Sequence, residues 1–515
     1  MKPTFYVTTP IYYVNGELHL GHAYTTIAAD VMARWKRLDG YDVFFLTGAD
    51  EHGQKVEKAA LDHGIAPQEF TDRMAAGFRE VVGVLGATND DFIRTTEERH
   101  KQASAALWRQ LEERGQIYLG AYEGWYAVRD EAFYAEDEIT KLADGTRLAP
   151  TGAPVEWVKE PSYFFRLSDW GDKLLELYDS QPDFIGPNSR RNEVISFVKS
   201  GLTDLSVSRT SFSWGIKVPG NEAHVMYVWL DALTNYLSAV GFPDENAARW
   251  RFWPADLHLV GKDILRFHAI FWPAFLMAAG LPLPLRVYAH GWWTIEGEKM
   301  SKSIGNVIDP RALVDEFGLD AVRFFLLREV PFGGDGDFKR KALISRLNVE
   351  LANDLGNLSQ RLLSFIAKNC GGLLPALGEL TEDDRILMAG AAALTDEMRS
   401  RLDRQAFSDA LEEAWKLIRA GNGYIDRQAP WALRKTDPAR MATVLRVLVD
   451  LLRAVATNLQ PFMPGSMGNM LDQLAVRPEG RDFAALTTPL QDGIALPPPQ
   501  GVFPRFVEEG ADAHR

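Results

Sequence analysis

Two histidines and two lysines in this chain have the setting that phosphate chemistry requires. His19-Leu20-Gly21-His22 stands where a strand-like run gives way to a helical one. Histidines three apart share one face of a starting helix. The free N–H groups and dipole of such a helix end favour an anion. Gly21 has no side chain, so a flat base can approach the backbone. Read by itself, His-x-x-His suits a helix cap or a solvated surface equally well. Lys299-Met300-Ser301-Lys302-Ser303 follows Gly297 and precedes Gly305-Asn306. Two lysines on a Gly-flanked loop suit a cationic flap over a triphosphate, although one such run is more commonly a solvated loop. Asp50 stands at the end of an apolar run, within Gly48-Ala49-Asp50-Glu51-His52-Gly53. A carboxylate in that position is seldom structural. No Walker A run and no His-Glu-x-x-His competes with these signals.

The elements that must position these groups are legible from periodicity. Thr4 to Thr9 reads as a strand, Pro10 to Gly16 as a turn, and Leu20 to Leu38 as a helix stopped by Asp39-Gly40. Tyr41 to Leu46 reads as a second strand. Strand, helix, strand is a βαβ unit, so a parallel sheet is expected, with its ligand at the carboxyl ends of the strands. Pro10 to His22 and Gly48 to His52 fall at those ends. Residues 117–225 are rich in short aromatic runs such as Tyr122 to Tyr126, and read as a β-rich insertion. Strand-like text resumes at Val225 to Trp229 and at Leu257 to Val260. From Leu343 to Leu474 long amphipathic helices follow, including Asp384 to Leu402 and Ala442 to Leu459. After Gly480 a Pro-rich tail should lie extended over the surface. The expected fold is α/β: a Rossmann-like parallel-sheet catalytic domain with a β-rich connective insertion and a C-terminal α-helical bundle. The expected segments are 1–116 and 226–290 for the two halves of the catalytic domain and 117–225 for the insertion. They continue with 291–342 for the region around the lysine flap, 343–480 for the helical domain and 481–515 for the tail.

At 515 residues the chain is too long for one ordinary core. No apolar run is long enough to span a membrane, and the N-terminus lacks the pattern of a secretory signal. The single cysteine, Cys370, forbids a disulfide within the chain and suits a reducing cytoplasm. A net charge of −14 argues against general nucleic-acid binding but leaves room for a local basic face.

The two phosphate-type signals in this order, one after the first strand and one after the last, resemble the class I aminoacyl-tRNA synthetases. Four further blocks resemble the methionyl branch of that group. They are Pro10-Ile11-Tyr12-Tyr13-Val14-Asn15-Gly16, Gly48 to Gly53, Tyr227-Val228-Trp229-Leu230-Asp231-Ala232, and Gly261-Lys262-Asp263-Ile264-Leu265-Arg266-Phe267-His268. The resemblance implies ATP-dependent activation of L-methionine and its transfer to tRNA(Met), initiator and elongator, with Mg2+ accompanying ATP. His19, His22, Lys299 and Lys302 would be catalytic. Tyr13, His19, Gly21, His22, Gly261, Asp263, Trp293 and Lys302 would hold ATP. Ile11, Tyr13, Asp50, Trp229, Ala232, Leu233, Tyr236, Ile264, Phe267, His268 and Trp272 would form the methionine site. There Asp50 would take the ammonium group, and Tyr13 and His268 would aim a weak donor at the thioether. For Trp272 and Tyr236 an ordinary core position is the stronger reading. Asn357, Arg361, Pro430 and Trp431 would read the anticodon, though Trp431 also suits helix packing. Lys339, Arg340, Lys341 and Arg346, between the flap and the helices, suit a phosphate backbone, although such a charge cluster is more commonly a solvated surface.

Many relatives carry Cys-x-x-Cys knuckles in the insertion. This chain has no cysteine before Cys370 and no histidine between His100 and His224, so no structural zinc is expected there. It matches a subgroup whose knuckle packs residues such as Trp125, Tyr126, Phe133 and Tyr134. A monomer acting in the cytoplasm is expected, with no membrane partner. Another class I synthetase, a tRNA-independent adenylylating relative and a catalytically dead tRNA-binding paralogue are the alternatives.

Overall fold

In a computed structural model of the chain, the described residues are 2–14, 16–130, 132–134, 136–295, 297–299 and 307–507. Six parallel strands form the main sheet: β1 (Thr4–Tyr13), β2 (Asp42–Asp50), β3 (Asp91–Arg94), β4 (Ile185–Gly186), β5 (Leu257–Gly261) and β6 (Val287–His290). Their spatial order is β3-β2-β1-β5-β6-β4. The chain therefore reverses its direction of growth between β1 and β5, and ligands of such sheets bind at that reversal.

β1 runs on to Tyr13 rather than turning at Pro10. Its ladder with β2 shifts between Thr8 and Ile11 and then resumes at Ile11↔Gly48, Tyr12↔Ala49 and Tyr13↔Asp50. Proline has no N–H to give a ladder, and a local irregularity is where a strand tolerates it. Beyond Thr8↔His258 β1 follows β2, so the sheet parts from β5 and a crevice opens. Gly48 permits the close approach at this edge, because a Cβ there would lie 2.1 Å from the Ile93 carbonyl oxygen.

Helix α1 (Leu20–Leu38) packs along β1 and β2. Helix α2 (Glu98–Glu113) and the short helix α3 (Val228–Leu233) flank the other side of the crevice. The insertion is built on the antiparallel pair Ile117–Ala127 and Glu156–Phe165. Its tip has its own small core of Ala127, Ala149, Ala153 and Val155, with Trp125 and Tyr134 packed on it. Trp125 also meets Trp157, and Arg147 lies over its ring. Part of the segment expected as insertion belongs elsewhere. Ile185–Gly186 pairs with Val287–Tyr288 and forms the edge of the main sheet. A strand of two residues carries no period, which is why the sequence hid it.

The helical region begins at Arg340 and continues through a π-helical stretch, Leu347–Gly356, into Asn357–Asn369. Glu382–Leu402, Phe407–Gln428 and Pro438–Leu459 complete its core. Arg323, in the preceding helix Leu319–Arg328, ties this region to α1 through a fully buried ion pair and two carbonyl contacts. Arg323 donates to Asp30 of α1 at 2.6 Å and to the carbonyls of Pro461 and Phe462. Such a pair fixes geometry more than it adds stability. The tail crosses back over the helices: Leu373 bridges Ala495, and the backbone of Phe506 bonds Asn348 in both directions. Among the described residues no helix is long and apolar enough to cross a membrane.

Candidate active site

A cavity of about 710 Å3 opens at the carboxyl ends of β1, β2, β5 and β6. It brings together Ile11, Tyr13, His19, Gly21, His22, Asp50, Trp229, Ala232, Leu233, Tyr236, Gly261, Asp263, Ile264, His268 and Trp293. Five separate stretches of chain thus converge on one hollow. A second cavity, of about 660 Å3, lies between the end of α1 and the helical region. Its arginines are tied internally, Arg399 to Asp39 and Arg446 to Asp450, so the first cavity is the one equipped for phosphate chemistry.

His19 and His22 cap α1 in a reciprocal way. The Gly21 N–H donates to His19 Nδ1 at 3.1 Å, and the His19 N–H donates to His22 Nδ1 at 3.1 Å. Both Nδ1 atoms are therefore acceptors, and each neutral ring carries its proton on Nε2. The rings stand 4.0 Å apart between centroids. The capping reading and the chemical one coincide here, since one nitrogen of each ring orders the helix end and the other can donate. Gly21 is required by the cap itself, because a Cβ would approach His19 Cε1 to 2.9 Å.

Trp229 lies face to face with Phe267, at 3.4 Å and 11°. Of this pair Trp229 lines the cavity and Phe267 backs it. Trp272 does not line it either. It is fully buried, 6.0 Å from Tyr236 and 6.1 Å from Trp253. Tyr236, by contrast, reaches the cavity wall while 1% exposed. His268 has no donor to spare for a thioether. Its Nδ1–H donates to the Ile264 carbonyl at 3.0 Å, and its Nε2 accepts from the Tyr236 hydroxyl at 2.7 Å. It contributes a neutral ring edge, and burial holds its pKa down at about 4.

That value gives a test. The unfolded imidazole takes a proton near pH 6.5, while the folded one stays neutral to about pH 4. The unfolded state thus binds more protons in this window, and His268 loses stabilising effect as pH falls from 6.5 towards 4. Glutamine at this position does not titrate. The stability of His268→Gln relative to the parent should rise over that range in paired thermal melts. A difference independent of pH would contradict the assignment.

Several lining residues carry no motif. Thr25, Lys55, Asp130, Asn235, His290 and Trp292 all face the cavity. His290 donates from Nδ1 to the Gly291 carbonyl and accepts from Thr25 at Nε2, and burial lowers its pKa. Asp130 comes from the insertion, which no local pattern announces. Trp292 anchors the rim through Nε1–H to Asp263 at 3.1 Å and its backbone N–H to Asp335 at 2.8 Å. Trp293 touches the cavity too but packs inward on Tyr24 and Phe325. Alternation along a strand sends the two indoles to opposite sides, and the sequence does not say which one faces the site.

Strand Trp293–Ile295 pairs with Glu298–Lys299 and sets the Lys299 backbone opposite Thr294, one residue from the cavity-lining Trp293. Lys302 lies outside the described residues. On the helical region, Arg361 sits 5.6 Å over the Trp431 ring and donates to Asp426 at 2.7 Å. Trp431 is 46% exposed, Asn357 is exposed one turn before Arg361, and Pro430 starts the helix that carries Trp431. Lys339 and Arg340 are engaged with Asp337 and Glu316, and Arg346 with Glu329 and Glu350.

Comparison with known proteins bears on both regions. A family model for class I tRNA synthetases (M) matches residues 5–363, and one for the anticodon binding domain of methionyl tRNA ligase matches residues 374–515. The methionine–tRNA ligase of Rickettsia felis is 58% identical over 511 residues, covering 98% of this chain and 99% of the relative. That of Brucella suis is 56% identical, with the same coverage. Mycobacterium tuberculosis methionyl-tRNA synthetase in complex with methionyl-adenylate superposes with a TM-score of 0.95 at 52% identity, covering 98% of this chain and all of that one. Its free form gives 0.88 at 50% identity, covering 99% of each. These likenesses in sequence and fold run over essentially the full length, and the chain belongs to the methionyl family of class I tRNA synthetases, the methionine–tRNA ligases.

Proposed function

We propose that the 710 Å3 cavity joins L-methionine to ATP and then passes the methionyl group to tRNA(Met), initiator and elongator alike. The observation that carries this reading is the meeting of the His19–His22 pair and Asp50 on the walls of one cavity. The methionine carboxylate, already ionised at pH 7, attacks the α-phosphorus of ATP. The bond to pyrophosphate breaks and methionyl-adenylate forms. The terminal ribose hydroxyl of tRNA then attacks the acyl carbon, and AMP leaves. Neither step needs a strong protein base, so catalysis is positioning and charge stabilisation. The Nε2–H groups of His19 and His22 donate to the phosphate oxygens. Gly21, Gly261, Asp263 and Tyr13, with the Trp292–Trp293 rim, hold the nucleotide. Lys299 and Lys302 draw the departing pyrophosphate. Mg2+ enters with ATP as part of that substrate, carried by its phosphates.

Asp50 holds the methionine ammonium group. Ile11, Trp229, Ala232, Leu233, Tyr236, Ile264 and His268 enclose the thioether, with Phe267 and Trp272 behind them. Residues 1–116, 185–186 and 226–290 supply the adenylation domain, and the rest of 117–225 the insertion over it. Residues 291–342 supply the flap, 343–480 the anticodon reader and 481–515 the tail. The chain acts as a cytoplasmic monomer. Light scattering should therefore give a mass near 57.7 kDa rather than twice that.

Pyrophosphate exchange with each of the twenty amino acids tests the reaction. Methionine-dependent exchange without tRNA supports it, and exchange with another amino acid alone would overturn the substrate. The half-exposed Trp431 is a stacking platform for an anticodon base, with Arg361 and Asn357 offering polar contacts beside it. Stacking of this kind contributes roughly 1–3 kcal/mol per base. Trp431→Ala should therefore cut kcat/KM for tRNA by about 10- to 100-fold while leaving exchange unchanged. Equal losses in both assays would remove Trp431 from tRNA recognition.

A further inference from the structure

Asp231 is 1% exposed and carries a full carboxylate, with its pKa lowered to about 2 despite burial. It sits on α3, only six residues long, and too short to hold itself together in water. At 100° per residue, Trp229, Ala232 and Leu233 fall within one arc of that helix and Asp231 on the opposite side. The first three line the cavity. Asp231 faces away, into two imidazoles. His52 Nδ1 lies 2.7 Å from one of its oxygens and His100 Nε2 lies 2.8 Å from the other. His52 is 4% exposed and His100 is fully buried.

The anion accepts from both rings, so His52 carries its proton on Nδ1 and His100 on Nε2. His100, from α2, is fixed further by Ser238 at Nδ1. His52 follows the end of β2 by two residues, directly after Asp50 and Glu51. Glu51 is itself held by Arg94 at 2.6 Å and by the side chain of Thr96. The three-residue bridge thus ties together the segment bearing Asp50 and the helix bearing Trp229, Ala232 and Leu233. An apolar trio of similar volume would stabilise such a junction as well or better. What the hydrogen-bonded trio adds is a fixed direction for each partner.

We propose that the His52–Asp231–His100 bridge sets the distance between the ammonium-binding end and the thioether-binding end of the methionine site, and that these three are positioning residues for amino-acid selection. This rests on the reading of the cavity as a methionine site. The bridge lies behind the amino-acid end of the cavity and not beside the His19–His22 pair, so it acts on methionine and not on ATP.

The tautomers supply a test that mere packing would not pass. An asparagine amide can replace a ring Nδ1–H, and a glutamine amide can replace a ring Nε2–H. His52→Asn should therefore keep methionine KM within about two-fold of the parent. His52→Ala should raise it on the order of ten-fold or more, as a small misplacement in a site of this type can. ATP KM should stay unchanged in both. If His52→Ala does not fold, His100→Gln against His100→Ala gives the same comparison from the other side of the carboxylate. Pyrophosphate exchange with varied methionine, then varied ATP, reads all four variants. Parallel rises in both KM values, an unaffected methionine KM in a folded alanine variant, or failure of the amide variants to restore it would each overturn the bridge. Absence of methionine-dependent exchange in the parent protein would instead overturn the methionine reading itself.

Discussion

His19→Asn should leave the protein folded and nearly as stable as the parent, and should slow methionine-dependent pyrophosphate exchange by a factor on the order of 100 to 1,000. The asparagine side-chain oxygen can accept the Gly21 N–H that His19 Nδ1 accepts now, and asparagine is among the best helix N-caps. What it cannot supply is the Nε2–H on the far side of the ring. Loss of one fixed donor to developing negative charge costs about 3–4 kcal/mol in the transition state. Substitution by alanine would confound the two effects, because it also removes the cap. The measurement is a thermal midpoint beside exchange kinetics on the same preparation. A full-speed enzyme would make His19 a cap and nothing more, and a large loss of stability would mean that the cap is not transferable.

Asp50→Asn should lower kcat/KM for methionine by about 100-fold and leave ATP KM within about two-fold. Asp50 ends β2 beside Tyr13, with its backbone carbonyl accepting from Val14 at 3.2 Å. It is 7% exposed on the cavity wall. Asparagine keeps the shape and that backbone bond but removes the charge. A charge-assisted contact to an ammonium group in such a place is worth roughly 3 kcal/mol. Steady-state exchange with each substrate varied in turn decides it. If ATP KM climbs in step with methionine KM, the carboxylate orders the whole cavity and does not serve the ammonium group in particular.

Much of this site was legible because its signals are local. The cap needs His19, Gly21 and His22 at fixed spacing on one turn, so contiguous sequence encodes it. Helix α1 was readable from Leu20 to Leu38 by period alone, and the same holds for most of Glu382–Leu402. Asp50 was legible as a charge closing an apolar strand. The turn expected at Pro10 was misplaced, because an irregular ladder absorbs a proline whose own propensity points to a turn.

The remaining features were decided by neighbours far away along the chain. His268 looks like a donor in sequence, yet Ile264 and Tyr236 take both its nitrogens. Trp272 and Tyr236 read alike in sequence, each more readily as core than as pocket, and only tertiary packing sets Tyr236 in the wall and Trp272 against Trp253 in the core. Asp130 enters the cavity from an insertion, and His52, Asp231 and His100 meet across 179 and 131 residues of chain. Periodicity and motif spacing are properties of adjacent residues, so contiguous sequence encodes the long elements, the capped helix and the chemistry class. Which nitrogen holds a proton, and which ring faces the ligand, depends on where distant polar groups are buried, and only the tertiary structure decided that.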